Sequence, residues 1–95
     1  MEYTIKHKEN LTNGTFFIED TTGVLSELSY RKLDNKVLVI DDTQTKRHLE
    51  GQGLASRLLE QAVIYAKENN YKIDPLCPFA EVKFDQNKEY KKVQV

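Results

Sequence analysis

The sequence His-Leu-Glu-Gly-Gln-Gly-Leu-Ala, residues 48–55, joins two segments that differ in hydrophobic period. Before it, residues 37–40 read Val-Leu-Val-Ile without alternation, which is typical of a central strand covered on both faces. After it, apolar residues from Leu54 to Ala66 recur about every four positions and form one stripe of an α-helix. The stretch therefore predicts a strand, a glycine turn and an amphipathic helix, in that order.

The two glycines of this turn point to an anion site. Gly51 and Gly53 carry no Cβ, so a ligand can approach the main chain closely. The first amides of the helix have no internal partner, and the helix dipole places partial positive charge there. We therefore predict that Gly51, Gln52, Gly53, Leu54 and Ala55 bind a phosphate or pyrophosphate. A tight turn that binds nothing needs the same glycines, and both interpretations stay open here.

Two well-known phosphate-binding loops fit the sequence poorly. A Walker A loop needs G-x-x-x-x-G-K-[ST], and no such run occurs. A dinucleotide-binding fingerprint needs a third glycine where Ser56 stands, and it also needs a parallel sheet. The segments before the turn favour an antiparallel meander instead.

The remaining segments predict an α+β fold with a mostly antiparallel mixed sheet, one long helix and a short C-terminal helix. The helix between the fourth and fifth strands implies a right-handed crossover, so these two strands should be parallel. The expected strands are residues 3–7, 15–18, 24–32, 37–40 and 71–73, with turns at Asn13-Gly14, residues 20–23 and Asp34-Asn35. A short helix is expected over residues 79–85, and a charged tail from residue 87 onward.

Length and composition exclude several classes of protein. The 95 residues predict one domain over residues 1–95. Lys and Arg number 14 against 15 Asp and Glu, and this net charge of −1 gives no attraction to nucleic acid or anionic membranes. No apolar run approaches the roughly 20 residues that span a bilayer, and the N-terminus lacks the apolar stretch of a signal peptide. We predict a soluble, cytoplasmic protein.

Cysteine and histidine are too few for two further kinds of site. Cys77 is the single cysteine, so no disulfide can form within the chain. His7 and His48 are the only histidines, and four Cys/His ligands for zinc cannot be assembled from these three residues. No metal cofactor is expected.

Two motifs resemble the GNAT superfamily of acyl-CoA N-acetyltransferases. The segment from His48 to Gly53 is similar to the superfamily's pyrophosphate loop, Q/R-x-x-G-x-G/A, with His48 in place of Gln or Arg. Glu50 also replaces the basic residue that is frequent before the first glycine. The segment Pro75-Leu76-Cys77-Pro78, with the later Asn87-Lys88-Glu89-Tyr90, resembles a subgroup of very small, single-domain members.

The resemblance runs from about residue 28 to residue 90 and implies a minimal GNAT-like fold with acetyl-CoA as co-substrate. It implies that the pyrophosphate meets the amides of residues 51–55. The pantetheine arm would lie beside the fourth strand and use free main-chain groups near residues 40–45, where the sheet splays. Val39, Ile40 and Asp41 are the predicted cofactor-binding residues of this strand, whose amides would polarise the thioester carbonyl. The two N-terminal helices that shape the acceptor pocket in larger members have no counterpart in this sequence.

Cys77 and His48 are the candidate catalytic residues. A thiol before a helix that begins at Pro78 is favoured as thiolate, so Cys77 could take the acetyl group and pass it to an amine. The alternatives are direct attack by the amine, with Cys77 lining the pocket, or a cysteine that only fills the core. His48 could act as a general base or be a solvated side chain. The resemblance also implies that Tyr90 could protonate the leaving CoA thiolate.

The predicted function is transfer of acetyl from acetyl-CoA to a primary amine whose identity the sequence does not specify. Two other classes stay open. The chain could be a non-catalytic acyl-CoA binding or sensing module, since the acceptor-pocket helices are missing. It could also be an interaction domain whose glycine turn binds no ligand.

Overall fold

The structure is a computed structural model that describes residues 3–95. It contains a five-stranded sheet in the order β1-β2-β3-β4-β5, with three helices. The first three strand pairs are antiparallel and β4–β5 is parallel, as predicted from the helix that connects them. The elements are β1 (Lys6–Glu9), β2 (Asn13–Asp20), β3 (Gly23–Leu33), β4 (Val37–Thr45), α1 (Leu54–Glu68), β5 (Lys72–Pro75), α2 (Pro78–Gln86) and α3 (Lys88–Lys91), with a 3₁₀ turn at Arg47–Leu49.

One hydrophobic core holds the helices against the sheet. The apolar stripe of α1 is buried as predicted, and α2 adds Ala80 and Phe84 to the same core. Burying each large apolar side chain contributes about 1.5–3 kcal/mol. The buried residues of α1 are Leu54, Leu58, Leu59, Ala62, Val63 and Ala66. The α+β fold class is confirmed. Within residues 3–95, no helix is both long and apolar enough to cross a membrane.

The turn between β1 and β2 differs from the prediction. Asn13-Gly14 does not form a turn but begins β2, and β1 is Lys6–Glu9 rather than residues 3–7. The chain reverses earlier because the Asn10 side-chain oxygen accepts hydrogen bonds from the amides of Thr12 (2.9 Å) and Asn13 (2.8 Å). Gly14 instead pairs with Tyr30 across the sheet, and the aromatic ring lies over it.

The C-terminal residues do not form the charged tail that was predicted from residue 87 onward. The Asn87 side chain caps α3 by accepting from the amides of Glu89 and Tyr90. Val93 is buried, and its carbonyl accepts from the amide of Ile73 at 2.6 Å. The chain end therefore pairs with the outer edge of β5, a contact that local sequence does not signal. The fifth strand is Lys72–Pro75 rather than residues 71–73. The helix α2 is longer than the predicted range 79–85, and its start at Pro78 agrees with the separate prediction made from that proline.

A polar cluster ties β1 to the rest of the sheet and to α1. The Glu9 carboxylate accepts hydrogen bonds from the side chains of Tyr30, Tyr65 and Lys32, each at 2.8 Å. His7 lies 2.7 Å from the Tyr30 hydroxyl. Partial burial raises the pKa of Glu9, but the hydrogen bonds from Lys32, Tyr65 and Tyr30 outweigh it and lower the pKa from 4.5 to about 2.

This lowered pKa predicts how stability depends on pH. A carboxylate with a depressed folded-state pKa stabilises the protein above its unfolded pKa of 4.5, and the stabilisation disappears as the pH falls towards 2. Because Glu9 is partly exposed, solvent screens its interactions. We expect its carboxylate to contribute about 1 kcal/mol to the free energy of unfolding. At pH 6 the free energy of unfolding should be higher for wild type than for Glu9→Gln. Urea unfolding at a series of pH values should show this difference disappearing between about pH 4.5 and pH 2. The exposed Glu68→Gln is the control, and an unchanging difference between wild type and Glu9→Gln would refute the prediction.

Candidate functional site

The glycine turn has the backbone conformation that its sequence predicts. Gly51 and Gly53 have φ of +83° and +81°, in the left-handed region. A Cβ added at either position would meet nothing within 4 Å, so conformation rather than space requires glycine. Gly53 is the N-cap of α1, and no side chain in the described part of the sequence caps this helix end.

The main-chain amides at this end of α1 are open. The first amide with a partner is that of Arg57, which donates to the Gly53 carbonyl at 3.1 Å. Within residues 3–95, none of the amides of residues 51–56 donates a hydrogen bond. Several unpaired donors at a helix N-terminus, where the helix dipole is positive, favour an anion.

A cavity of about 480 Å³ lies beside these amides. It brings together the end of β4, the glycine turn, the first turn of α1 and one face of α2. Four of the eight predicted cofactor-binding residues line it, all of them in the glycine turn and the start of α1. The other four, Val39, Ile40, Asp41 and Gln52, do not line it. The lining residues are Thr43, Thr45, Glu50, Gly51, Gly53, Leu54, Ala55, Ser56, Phe79 and Lys83.

A β-bulge marks the place where β4 and β5 separate. Tyr30 pairs with Ile40 and Ser29 pairs with Asp42, so Asp41 is an extra residue in β4. Pairing with β5 ends at Ile40, whose carbonyl accepts from the amide of Cys77 at 3.0 Å. From Asp41 to Thr45, no strand among residues 3–95 pairs with β4 on this side. We call this segment, residues 41–45, the open edge of β4.

The predicted positions along β4 therefore divide into two groups. Val39 and Ile40 lie in the segment that pairs with β5, and the Ile40 carbonyl already has a partner. Asp41 stands at the start of the open edge, which leads to Thr43 and Thr45 in the cavity wall. An extended ligand would find its main-chain partners from Asp41 onward.

Cys77 lies at the junction of β5 and α2. It is the N-cap of α2, and Pro78 occupies the first turn as predicted. Its main chain contacts Ile40 next to the bulge, while its side chain packs in the core and the residue is only 6% exposed. Cys77 is not among the residues that line the cavity.

His48 and Cys77 lie on different elements of the structure. It is exposed in the 3₁₀ turn Arg47–Leu49, and it does not line the cavity. Within residues 3–95, no hydrogen bond joins it to Cys77.

Sequence reasoning assigned no role in the site to Ser56, Phe79 or Lys83, which line the cavity. Phe79 and Lys83 are four positions apart and share one face of α2, a spacing that could have identified them. Their presence makes α2 one wall of the site.

Comparison with known proteins agrees with this geometry. Residues 15–93 match the model of the GCN5-related N-acetyl-transferase family. The fold is similar to the solution structure of a candidate GCN5-like N-acetyltransferase from Staphylococcus aureus, with a TM-score of 0.77 and 36% identity. That match covers 97% of this chain and 87% of the relative. No curated protein matches the sequence.

Larger proteins share the fold at lower identity. A candidate streptothricin acetyltransferase from Bacillus anthracis, solved in complex with acetyl coenzyme A, has a TM-score of 0.60 and 21% identity over 81% of this chain. A candidate GNAT family acetyltransferase from Staphylococcus aureus has a TM-score of 0.61 and 16% identity over 70% of this chain. The chain covers 46% and 57% of these two proteins, so they show the fold alone. The family match extends over most of the chain, and the protein belongs to the GCN5-related N-acetyltransferase family.

Proposed function

We propose that this protein transfers the acetyl group of acetyl-CoA to a primary amine. The observation that carries the proposal is the row of open amides at residues 51–56. Five of these six residues line a cavity that also reaches Thr43 and Thr45 in the open edge of β4. Acetyl-CoA combines an anionic pyrophosphate with an extended arm that contains amides. The amides suit the pyrophosphate, and the open edge suits the arm in the manner of an added strand.

Main-chain groups supply most of the attraction for the pyrophosphate in this proposal. Among residues 3–95, Lys83 is the one cationic side chain in the cavity wall, and Glu50 places a carboxylate in the same wall. The two charges offset one another, so the amides and the helix dipole remain as the net attraction. Affinity therefore depends on the conformation of the glycine turn.

Gly53→Ala should weaken CoA binding about tenfold, because a Cβ at this left-handed φ displaces the amides from their positions. Thermal melts with and without CoA measure the effect. At 100 times its Kd, CoA should stabilise wild type by about 2.7 kcal/mol. The matched control is Gly23→Ala, where φ is +121° and a Cβ also meets no neighbour. Gly23→Ala should also lower the free energy of unfolding, but it should leave the Kd for CoA unchanged.

The absence of any CoA-dependent melting shift in wild type would overturn the proposed function. Equal weakening of CoA binding by Gly53→Ala and Gly23→Ala would instead refute the assignment of the glycine turn as the binding element.

The proposed chemistry centres on Cys77 beside the bulge. The Cys77 thiolate attacks the acetyl carbonyl carbon, the bond from this carbon to the CoA sulfur breaks, and the CoA thiolate takes up the proton that Cys77 lost. The amine then attacks the carbonyl carbon of acetyl-Cys77, and the amide bond forms as the bond from this carbon to the Cys77 sulfur breaks. The released Cys77 thiolate takes up the proton that the amine nitrogen loses. Amides at the open edge, starting at Asp41, would stabilise the developing oxyanion.

In this scheme His48 removes the proton from the acceptor ammonium. Its exposure on the 3₁₀ turn supports a role towards an acceptor that arrives from solvent. The segment Pro75-Leu76-Cys77-Pro78 supports placing the chain in the subgroup of very small members.

A second candidate function is a binding or sensing module for acyl-CoA. One observation favours it: residues 3–53 contain no α-helix that could shape an acceptor pocket. Such a module would be stabilised by CoA but would consume no acetyl-CoA thioester with any member of a broad panel of amines.

A further inference from the structure

A second cavity lies at the opposite end of α1 from the glycine turn. It has a volume of about 330 Å³ and is formed where the C-terminal end of α1 meets the start of β5. Because α1 has 15 residues, this cavity is about 20 Å from the glycine turn. Two lysines, Lys67 and Lys72, line it, and no carboxylate among residues 3–95 does. The other lining residues are Ala66, Asn70, Tyr71 and Val93.

Lys36 adds a third ammonium group beside this cavity, from the turn between β3 and β4. It has a φ of +62°, in the left-handed region, and the only other non-glycine residue with positive φ among residues 3–95 is Asn70. Asparagine tolerates this conformation, whereas a lysine there is strained. Strained residues of this kind cluster at ligand sites, where the side chain is needed in spite of the strain.

The Tyr71 ring orients the Lys36 ammonium. The Lys36 Nζ atom lies 4.3 Å from the centroid of this ring, close enough for a cation–π interaction. Tyr71 is itself held by stacking on Tyr65, with ring centroids 5.9 Å apart. The Lys36 carbonyl also accepts a hydrogen bond from the amide of Lys72 at 2.9 Å. The ammonium group is therefore positioned before any ligand binds. We call Lys36, Lys67, Lys72 and Tyr71 the basic corner.

The three ammonium groups of the basic corner have no carboxylate partner. Lys36, Lys67 and Lys72 form no salt bridge within residues 3–95, and Lys72 donates only to the Lys92 carbonyl, at 3.0 Å. The negative end of the α1 dipole lies at this corner, but it is equivalent to only about half a charge. The local charge is therefore positive, although the whole chain has a net charge of −1.

We propose that the basic corner binds the phosphate group of a ligand. A lysine ammonium binds phosphate as a point charge, and three of them favour a doubly charged anion over a singly charged one. The cavity has room for the remainder of a small phosphate ester or for a phosphorylated side chain of another protein. The proposal does not depend on the proposed function, since none of these residues lines the cavity beside the glycine turn.

Two-dimensional ¹H–¹⁵N NMR spectra of the whole chain, titrated with inorganic phosphate at constant ionic strength, test the proposal. The amide signals of Lys67, Tyr71 and Lys72 should shift and saturate together. Acetate should bind at least about fivefold more weakly, because it carries a single charge. Signals from residues 51–56 report the glycine turn separately, so one titration monitors both sites.

Lys36→Asn is the decisive variant, because asparagine suits the left-handed φ while the ammonium group is lost. It should weaken phosphate binding at the basic corner about fivefold without lowering the urea midpoint of unfolding. The matched control is Lys8→Gln. Lys8 also holds its ammonium over a ring, 5.3 Å from the centroid of Phe17, but the Glu9 carboxylate lines the same cavity. This control should leave phosphate binding unchanged.

A phosphoserine peptide and its unphosphorylated form distinguish the two sources of the phosphate group. Tighter binding of the phosphopeptide than of inorganic phosphate identifies a phosphorylated protein, and equal or weaker binding identifies a small phosphate ester. Equal binding of the two peptide forms would contradict phosphate recognition.

The outcomes separate this proposal from the proposed function. Shifts confined to residues 51–56 overturn the phosphate site at the basic corner and leave the acetyl-CoA proposal standing. Equal affinity for phosphate and acetate, or equal weakening by Lys36→Asn and Lys8→Gln, also overturns it. Saturating shifts at the basic corner without any at residues 51–56 support it and count against the glycine turn as an anion site.

Discussion

Gly14→Ala should lower the free energy of unfolding by about 3 kcal/mol or more. A Cβ at this position would overlap Cζ and the hydroxyl oxygen of Tyr30 and would stand 2.7 Å from Cε1. Overpacking of this kind typically costs 1–3 kcal/mol. Tyr30 is only 1% exposed, and moving its ring also breaks the hydrogen bond to Glu9. Urea unfolding of the two proteins measures the difference.

Two comparisons make this result specific to the contact between Gly14 and Tyr30. Gly23→Ala lacks such a contact, so it should cost only about 1 kcal/mol from backbone conformation. Combining Gly14→Ala with Tyr30→Leu should cost less than the sum of the two single changes, because the smaller side chain leaves room for the Cβ. Fully additive costs, or a Gly14→Ala protein as stable as Gly23→Ala, would contradict the packing argument.

In the proposed mechanism, Cys77→Ala should reduce acetyl transfer on the order of 10³-fold, because acetyl-Cys77 can no longer form. Intact-mass measurement after incubation with acetyl-CoA should show one added acetyl group on wild type and none on Cys77→Ala. Because Cys77 packs in the core, the loss of its sulfur also costs about 1 kcal/mol of stability. Cys77→Ser keeps nearly the same volume and serves as the control for folding. Both variants should still be stabilised by CoA.

His48→Ala separates the two halves of the reaction. Acetyl-Cys77 should still form, while its transfer to the amine slows at neutral pH and recovers at high pH, where the amine is already deprotonated. An equal loss at every pH would assign His48 to binding. Wild type that carries no acetyl group, together with full turnover by a folded Cys77→Ala protein, would establish direct attack by the amine on acetyl-CoA.

Elements that depend on neighbouring residues could be predicted from the sequence. The apolar stripe of α1, the glycine turn before it and the start of α2 at Pro78 each follow from residues within one or two turns. The parallel pairing of β4 and β5 follows from the handedness of their connection. These features were predicted correctly because no distant contact competes with them.

Features that depend on contacts between residues far apart in the sequence could not be predicted from local patterns. Asn13-Gly14 is a strong hairpin signal, yet Asn10 closes the turn and Tyr30 needs Gly14 within the strand. Free main-chain groups were expected near residues 40–45, but the bulge at Asp41 depends on the register between β3 and β4. The sequence therefore did not show that Val39 and Ile40 pair with β5 while the open edge begins at Asp41. The wall formed by Phe79 and Lys83 depends on how α2 packs beside α1.

The pairing of the chain end with β5 also restricts what can join the sheet. Residues 93–95 cover one rim, and β1 at the other rim carries Lys6 and Lys8, charges that discourage a second sheet from adding there. The open edge of β4 is not an outer edge of the sheet. It is a notch between β4 and β5, where the two strands separate beyond Ile40. A broad sheet from another protein has little access to such a notch, whereas one extended segment with amide groups can pair with it. This geometry supports the proposal that the unpaired main chain of β4 binds the pantetheine arm.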